Sequence, residues 1–165
     1  RLEDIEVSPP HPGTKVGEYV PFYWSPRSVM LYIISCQNNL DLAYKGGQIP
    51  IVHLQADFNT ALSYASKHQI KWAFSPTNAG AFYTRFFDDT SQLDQISWQA
   101  VNASDFSNRD IKEKKQAEFL FHELFPFSLI EKIGVNNLHI SLNVVKLLQH
   151  STYNPEISIE TAWYF

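Results

Sequence analysis

The sequence predicts an α+β fold, and three observations carry that expectation. Residues 52–58 and the last ten residues alternate apolar and polar side chains with a period of two, the pattern of half-buried strands. Ser28 to Ser35 and Ser141 to Gln149 instead place apolar residues at helical spacing. Strand and helix patterns follow one another irregularly through 165 residues with no repeat and no linker, so a single domain of several strands in mixed connection is expected.

Residues 8–18 hold three prolines and two glycines and form an irregular lead-in. Val20 to Trp24 is a short aromatic strand, broken by Ser25-Pro26. Ser28 to Ser35 reads as a mostly buried helix and Lys45-Gly46-Gly47-Gln48 as a turn. In the strand 52–58, Val52, Leu54, Ala56 and Phe58 share one face. Asn59 can then cap a helix running to Lys67. Trp72 to Phe74 is a strand ended by Ser75-Pro76. A helix is expected from Ala79 to Asp88, a strand from Ile96 to Val101, and a helix from Phe127 to Ile133. In the closing strand, Ile157, Ile159, Thr161, Trp163 and Phe165 point one way, and Ser158, Glu160, Ala162 and Tyr164 the other.

Composition narrows the function. At 44% hydrophobic and 18% charged, the chain can bury a sizeable core. One cysteine, Cys36, rules out an internal disulfide, and with six scattered histidines the chain offers no Cys-rich zinc site. No run of 18 apolar residues could span a bilayer, and the cysteine usage points to a reducing cytoplasm. A net charge of −4 gives no global attraction to nucleic acid or membrane. There is no G-x-G-x-x-G, P-loop, G-x-S-x-G or histidine pair at metal-binding spacing. The chain opens on Arg1 and its only methionine is Met30, so an upstream segment outside this sequence is expected.

Two places could carry chemistry. Arg27 follows an aromatic strand at a proline-defined turn, just before a helix. There it could share a phosphate or carboxylate with the N–H groups of the first turn, or be an ordinary surface arginine. The second place is Lys112-Glu113-Lys114-Lys115-Gln116-Ala117-Glu118-Phe119-Leu120-Phe121, where a basic stretch beginning at Arg109 runs into an apolar segment containing one acid. Periodicity leaves this segment open. A helix would be solvated, with Glu118 paired to Lys114 or Lys115. A strand would put Gln116 and Glu118 on one face, an arrangement suited to stabilising an oxocarbenium-like ribosyl cation.

Gln116-Ala117-Glu118 resembles the (Gln/Glu)-x-Glu element of ADP-ribosyltransferases. The wider pattern resembles one branch of them, the DarT-type toxins that ADP-ribosylate single-stranded DNA. The matching pieces are the run Tyr19 to Tyr32, the run Gly46 to Val52, Thr84-Arg85-Phe86-Phe87-Asp88-Asp89 with Leu93-Asp94 and Trp98, the run Gln116 to Leu120, and Trp163-Tyr164-Phe165. Each is weak singly; five in order are specific.

The resemblance implies one ADP-ribosyltransferase-like domain over residues 1–165, with split mixed and antiparallel sheets flanked by helices. It implies that Glu118 is the catalytic glutamate orienting the nicotinamide ribose, and that Arg27 polarises the target base or assists loss of its proton. Gln116, Lys112, Lys114 and Lys115 would belong to the loop presenting the acceptor, and Tyr44, Asn78, Arg85 and Arg109 would contact the strand. NAD would be consumed as a co-substrate, with no permanently bound cofactor and no metal. The acceptor would be a base in single-stranded DNA, commonly thymidine and in one branch guanosine. The expected partners are single-stranded DNA, NAD and a cognate antitoxin of the macrodomain ADP-ribosyl hydrolase type, in the cytoplasm and away from membranes.

Relatives begin with a strand–helix carrying a His-Thr-type motif that cradles NAD; nothing in residues 1–165 resembles it, so that segment is expected upstream. Asn78 stands in a segment where many relatives resemble Thr-Asp-x-His, which predicts altered acceptor contacts. RNA or protein as acceptor, and an inert module binding nucleic acid or antitoxin, are the alternative functions.

Overall fold

A computed structural model describes residues 4–37 and 42–165 and shows two compact units. The first comprises residues 1–25 and 62–125, and the second residues 26–61 and 126–165.

In the first unit, β1 (Tyr19–Tyr23), β3 (Trp72–Ser75) and β4 (Glu118–His122) form an antiparallel sheet in the order β1-β4-β3. β4 is central, which explains why Glu118, Phe119, Leu120 and Phe121 are all buried: both faces of a covered central strand meet core. Val7, Val16, Tyr19, Ala73, Phe86 and Leu120 pack in one core cluster. Phe74, Ile96, Val101 and Ala117 make a second, edged by Trp24, Trp72, Phe87 and Leu93.

In the second unit, β2 (His53–Ala56), β5 (Ile130–Val135) and β6 (Glu156–Ile159) are ordered β2-β5-β6, the first pair antiparallel and the second parallel. The helices are α1 (Val29–Cys36), α2 (Phe58–His68, which continues into the first unit), α3 (Trp98–Asn102), α4 (Arg109–Lys114) and α5 (Leu138–Leu148). The α+β class is as the sequence pattern predicts, and the pair of small sheets, one antiparallel and one mixed, is as the family resemblance implies. No helix among the described residues is long and apolar enough to cross a membrane.

Several elements differ from expectation, each for a local reason. Residues 79–88 form turns instead of a helix, because Phe87 is paired in extended form with Phe74 through two backbone hydrogen bonds, which a helix would not allow. Ala79 N–H donates to Glu118 Oε1 (3.1 Å) and Gly80 N–H to Asn78 Oδ1 (2.8 Å), while Phe87 bridges to Phe74. Residues 98–102 are helical because Ser97 caps them, its hydroxyl accepting from Ala100 N–H (3.4 Å). The stretch 127–133 opens with a single 3-10 turn and then becomes β5, the central strand of its sheet, where β-branched residues fit.

α1 is capped by Ser28 but only half covered, with Met30 and Tyr32 exposed. β2 does not keep the expected apolar face inward along its length: Val52 and Leu54 are exposed, as is Gln55, His53 packs on Trp163 and Tyr164, and Ala56 is half-buried past a register shift. The cap of α2 is Asp57, whose carboxylate accepts from the backbone (2.8 Å) and hydroxyl (2.9 Å) of Thr60; Asn59 lies inside the helix. β6 ends at Ile159, and a 3-10 turn over Thr161–Trp163 breaks the alternation, so Tyr164 is buried. At Gly134 the Trp163 indole lies where a Cβ would stand, so β5 needs glycine there.

Candidate active site

Each unit carries one constellation. In the first, Glu118 opens β4 opposite Tyr23 on one side and Ser75 on the other. It is 1% exposed, and Oε1 accepts the Ala79 N–H at 3.1 Å. A carboxylate removed from water this completely needs fixed partners, and the β3-to-Ala79 connection supplies one of them. The strand reading of residues 118–122 is therefore the correct one.

Gln116 sits two residues earlier, in the turn after α4, and not on the strand itself. Its Oε1 accepts from Asn78 Nδ2 (3.3 Å) and its Nε2 donates to the Lys112 carbonyl (3.1 Å). Asn78, singled out for its departure from relatives, thus holds Gln116 and joins the two segments that flank Glu118.

The basic residues separate into different roles. Lys115 is 4% exposed; its ammonium donates to the Val101 carbonyl (2.7 Å) and lies 5.6 Å from the Phe106 ring centre. Its charge is used inside the fold, where it pins the turn before Gln116 to α3. Lys114 pairs with Asp110 across one helical turn (2.7 Å). Lys112 and Arg109 are exposed on α4, and exposed Arg85 lies over the Phe87 ring (5.5 Å) and near Gln95.

Lys115→Ala is expected to lower the unfolding free energy by about 2 kcal/mol, from an orphaned buried carbonyl and lost packing. Lys112→Ala should leave stability unchanged and, where Lys112 meets a phosphate, flatten the salt dependence of strand binding by about one unit of slope. Denaturant titration together with binding at several salt concentrations separates the two residues.

In the second unit, Arg27 precedes the Ser28 cap of α1, whose hydroxyl accepts from Leu31 N–H at 3.1 Å. The guanidinium lies 4.4 Å from the Phe165 ring centre, and its Nε is buried with no hydrogen-bond partner among the described residues. Phe165 is itself clamped. Gln48 accepts its N–H through Oε1 (2.9 Å) and donates through Nε2 to its carbonyl. Tyr164 donates its hydroxyl to the Ile51 carbonyl (2.6 Å); burial pushes this phenol up to about 12, so it remains a donor at any physiological pH.

On the other side of Arg27, His53 Nε2 lies 3.1 Å from the Pro26 carbonyl, which fixes the Nε2–H tautomer. Gln48 and His53 were not singled out from sequence; the only signal was the Gly-Gly-Gln run in the family-like pattern. Tyr44, exposed, lies against Gly46, where a Cβ would collide with its phenol.

Burial holds His53 below its ordinary value of 6.5, only partly offset by the Pro26 carbonyl. Protonation would place a second N–H on Nδ1, which is buried and has no acceptor among the described residues. The folded state therefore binds the proton more weakly than the unfolded chain. Stability from neutral His53 is complete above 6.5 and is lost as pH falls through the window below it. His53→Gln, which keeps a donor for Pro26 but cannot titrate, should show a shallower loss of stability between pH 6.5 and 5 than the wild type, read by thermal melting.

A family profile described as the single-stranded-DNA thymidine ADP-ribosyltransferase DarT matches residues 1–165. The chain belongs to the DarT family. A DNA ADP-ribosyl transferase of Thermus aquaticus is 36% identical over 161 residues, covering 96% of this chain and 68% of the relative. DarT of Thermus sp. 2.9 in complex with ADP-ribosylated single-stranded DNA superposes with a TM-score of 0.88 at 33% identity, over 99% of this chain and 76% of that one. The same protein with NAD+ gives 0.83 at 34%, over 92% of this chain and 75% of that one. As a DarT protein, the chain is an NAD-dependent DNA ADP-ribosyltransferase, and NAD is its co-substrate. Among the described residues no cluster of His, Cys, Asp and Glu could hold a metal ion.

Proposed function

We propose that this chain transfers ADP-ribose from NAD to thymidine in single-stranded DNA, with Glu118 and Arg27 as its catalytic residues. The observation that carries the reading is the deeply buried Glu118 carboxylate, held by a backbone N–H at the head of a central strand. An immobile carboxylate can hold a ribose hydroxyl and oppose positive charge at the adjacent carbon as it develops. The bond from ribose C1′ to the nicotinamide nitrogen breaks, and its electron pair leaves with nicotinamide. The base forms the new bond to C1′ and loses its proton.

Arg27 favours the last step. A guanidinium that never deprotonates cannot be the base, but its charge and N–H groups stabilise the electron-rich form of the pyrimidine. Gln116, held by Asn78, presents the acceptor, and Lys112, Arg109, Arg85 and Tyr44 contact the strand. A single-stranded acceptor fits because the target base must leave its stack to react, and this costs least in single strands.

A reaction in the cytoplasm belongs to the same proposal, supported by NAD and DNA as its substrates. An antitoxin of the macrodomain ADP-ribosyl hydrolase type completes the reading, supported by the family resemblance alone. The test is labelled NAD offered with single-stranded DNA, duplex DNA, RNA and protein together. Label on single-stranded DNA is expected; label confined to RNA or protein overturns the acceptor.

A further inference from the structure

We propose that Phe82 and Tyr83 form a stacking platform for a base of the single-stranded DNA beside the reacting one, an inference that rests on DNA being the acceptor. The two residues occupy the centre of a tight turn, closed by Thr84 N–H donating to the Ala81 carbonyl at 3.0 Å. Phe82 is 87% exposed and Tyr83 64%. Turn centres usually hold Gly, Pro, Asn, Asp or Ser. Two aromatic rings held there in water forgo the burial that normally stabilises such side chains. For Phe82, which has no hydrogen bond or ring contact among the described residues, this is a local rule broken with no compensating gain inside the fold, and it points to function.

The turn is anchored. Thr77 and Thr84 hydroxyls meet at 3.0 Å, and the Tyr83 hydroxyl donates to the Glu113 carboxylate on α4. The same connection, at Asn78 and Ala79, holds Gln116 and Glu118. The aromatic tip is therefore tied to the segment carrying the catalytic glutamate and the acceptor-presenting glutamine.

The geometry selects a strand over a small molecule. Small-molecule sites are concave and enclose most of the ligand, whereas an open ring at a turn tip offers one face. A base in a single strand needs only that face. Arg85, two residues on, is exposed and can meet the phosphate beside a stacked base.

The test uses Phe82→Ala and Phe82→Trp in the full chain, with oligothymidylate and NAD. Phe82→Ala should raise the KM for oligothymidylate roughly tenfold or more, with the KM for NAD, the melting temperature and the salt slope of strand binding unchanged. Phe82→Trp should restore the wild-type KM. An unchanged oligothymidylate KM in Phe82→Ala overturns the platform. So does an equal rise in the KM for NAD, or a loss of self-association or antitoxin binding with strand binding intact. A wild-type protein that labels no DNA overturns the acceptor reading and the platform with it, and that outcome is visible before any variant is made.

Discussion

Glu118→Gln is expected to lower ADP-ribose transfer by about 10³-fold or more while leaving the melting temperature within a few degrees of the wild type. The amide is isosteric with the carboxylate, and its oxygen can still accept the Ala79 N–H that Oε1 accepts now. The buried head of β4 therefore keeps its packing and that hydrogen bond. What would disappear is the negative charge that the proposed mechanism sets against the ribosyl cation. Glu118→Asp keeps the charge but withdraws it by one methylene from Ala79, and should fall between the two. Wild-type transfer by Glu118→Gln, measured as nicotinamide release in the presence of DNA, would contradict the role.

Arg27→Ala should reduce transfer to DNA by about 10²-fold with a much smaller effect on the KM for NAD. The guanidinium lies 4.4 Å from the ring centre of Phe165, whose backbone Gln48 holds, and the preceding residue, Pro26, is bonded by His53. Arg27→Lys should recover only part of the rate, because an ammonium cannot reproduce the planar fork. Raising the pH should restore part of the Arg27→Ala rate, since a base that ionises unaided has less need of the cation. A uniform loss across the pH range, together with a raised KM for NAD, would show that Arg27 serves NAD binding instead.

The sequence makes part of each constellation legible. The Glu118 strand and the Arg27 turn stand out as an acid entering an apolar run and a cation at a proline break. Periodicity alone leaves Glu118 undecided between strand and helix, because residues 117–124 fit both; the ordered family-like motifs favour the strand.

The misread elements share a cause, which is that distant partners override local pattern. Phe87 pairs with the backbone of Phe74, so the helix expected at residues 79–88 gives way to turns and an extended bridge. His53 packs on Trp163 and Tyr164, so Leu54 beside it is exposed against the alternation the sequence suggests. Lys115 reads as a surface cation in a basic run, yet its ammonium reaches the Val101 carbonyl, 14 residues away in sequence. Such long-range commitments leave no periodic trace. Ser97 and Asp57 do act locally as caps, and both are visible in the sequence once capping is weighed against alternation.

The most direct measurement is mass spectrometry of short single-stranded DNA oligomers, with and without thymidine, incubated with the protein and NAD. The expected result is a gain of one ADP-ribose on thymidine-containing strands alone, with release of nicotinamide, and no gain with Glu118→Gln. Unmodified DNA from a folded, NAD-binding protein, or an equal gain with Glu118→Gln, would contradict it.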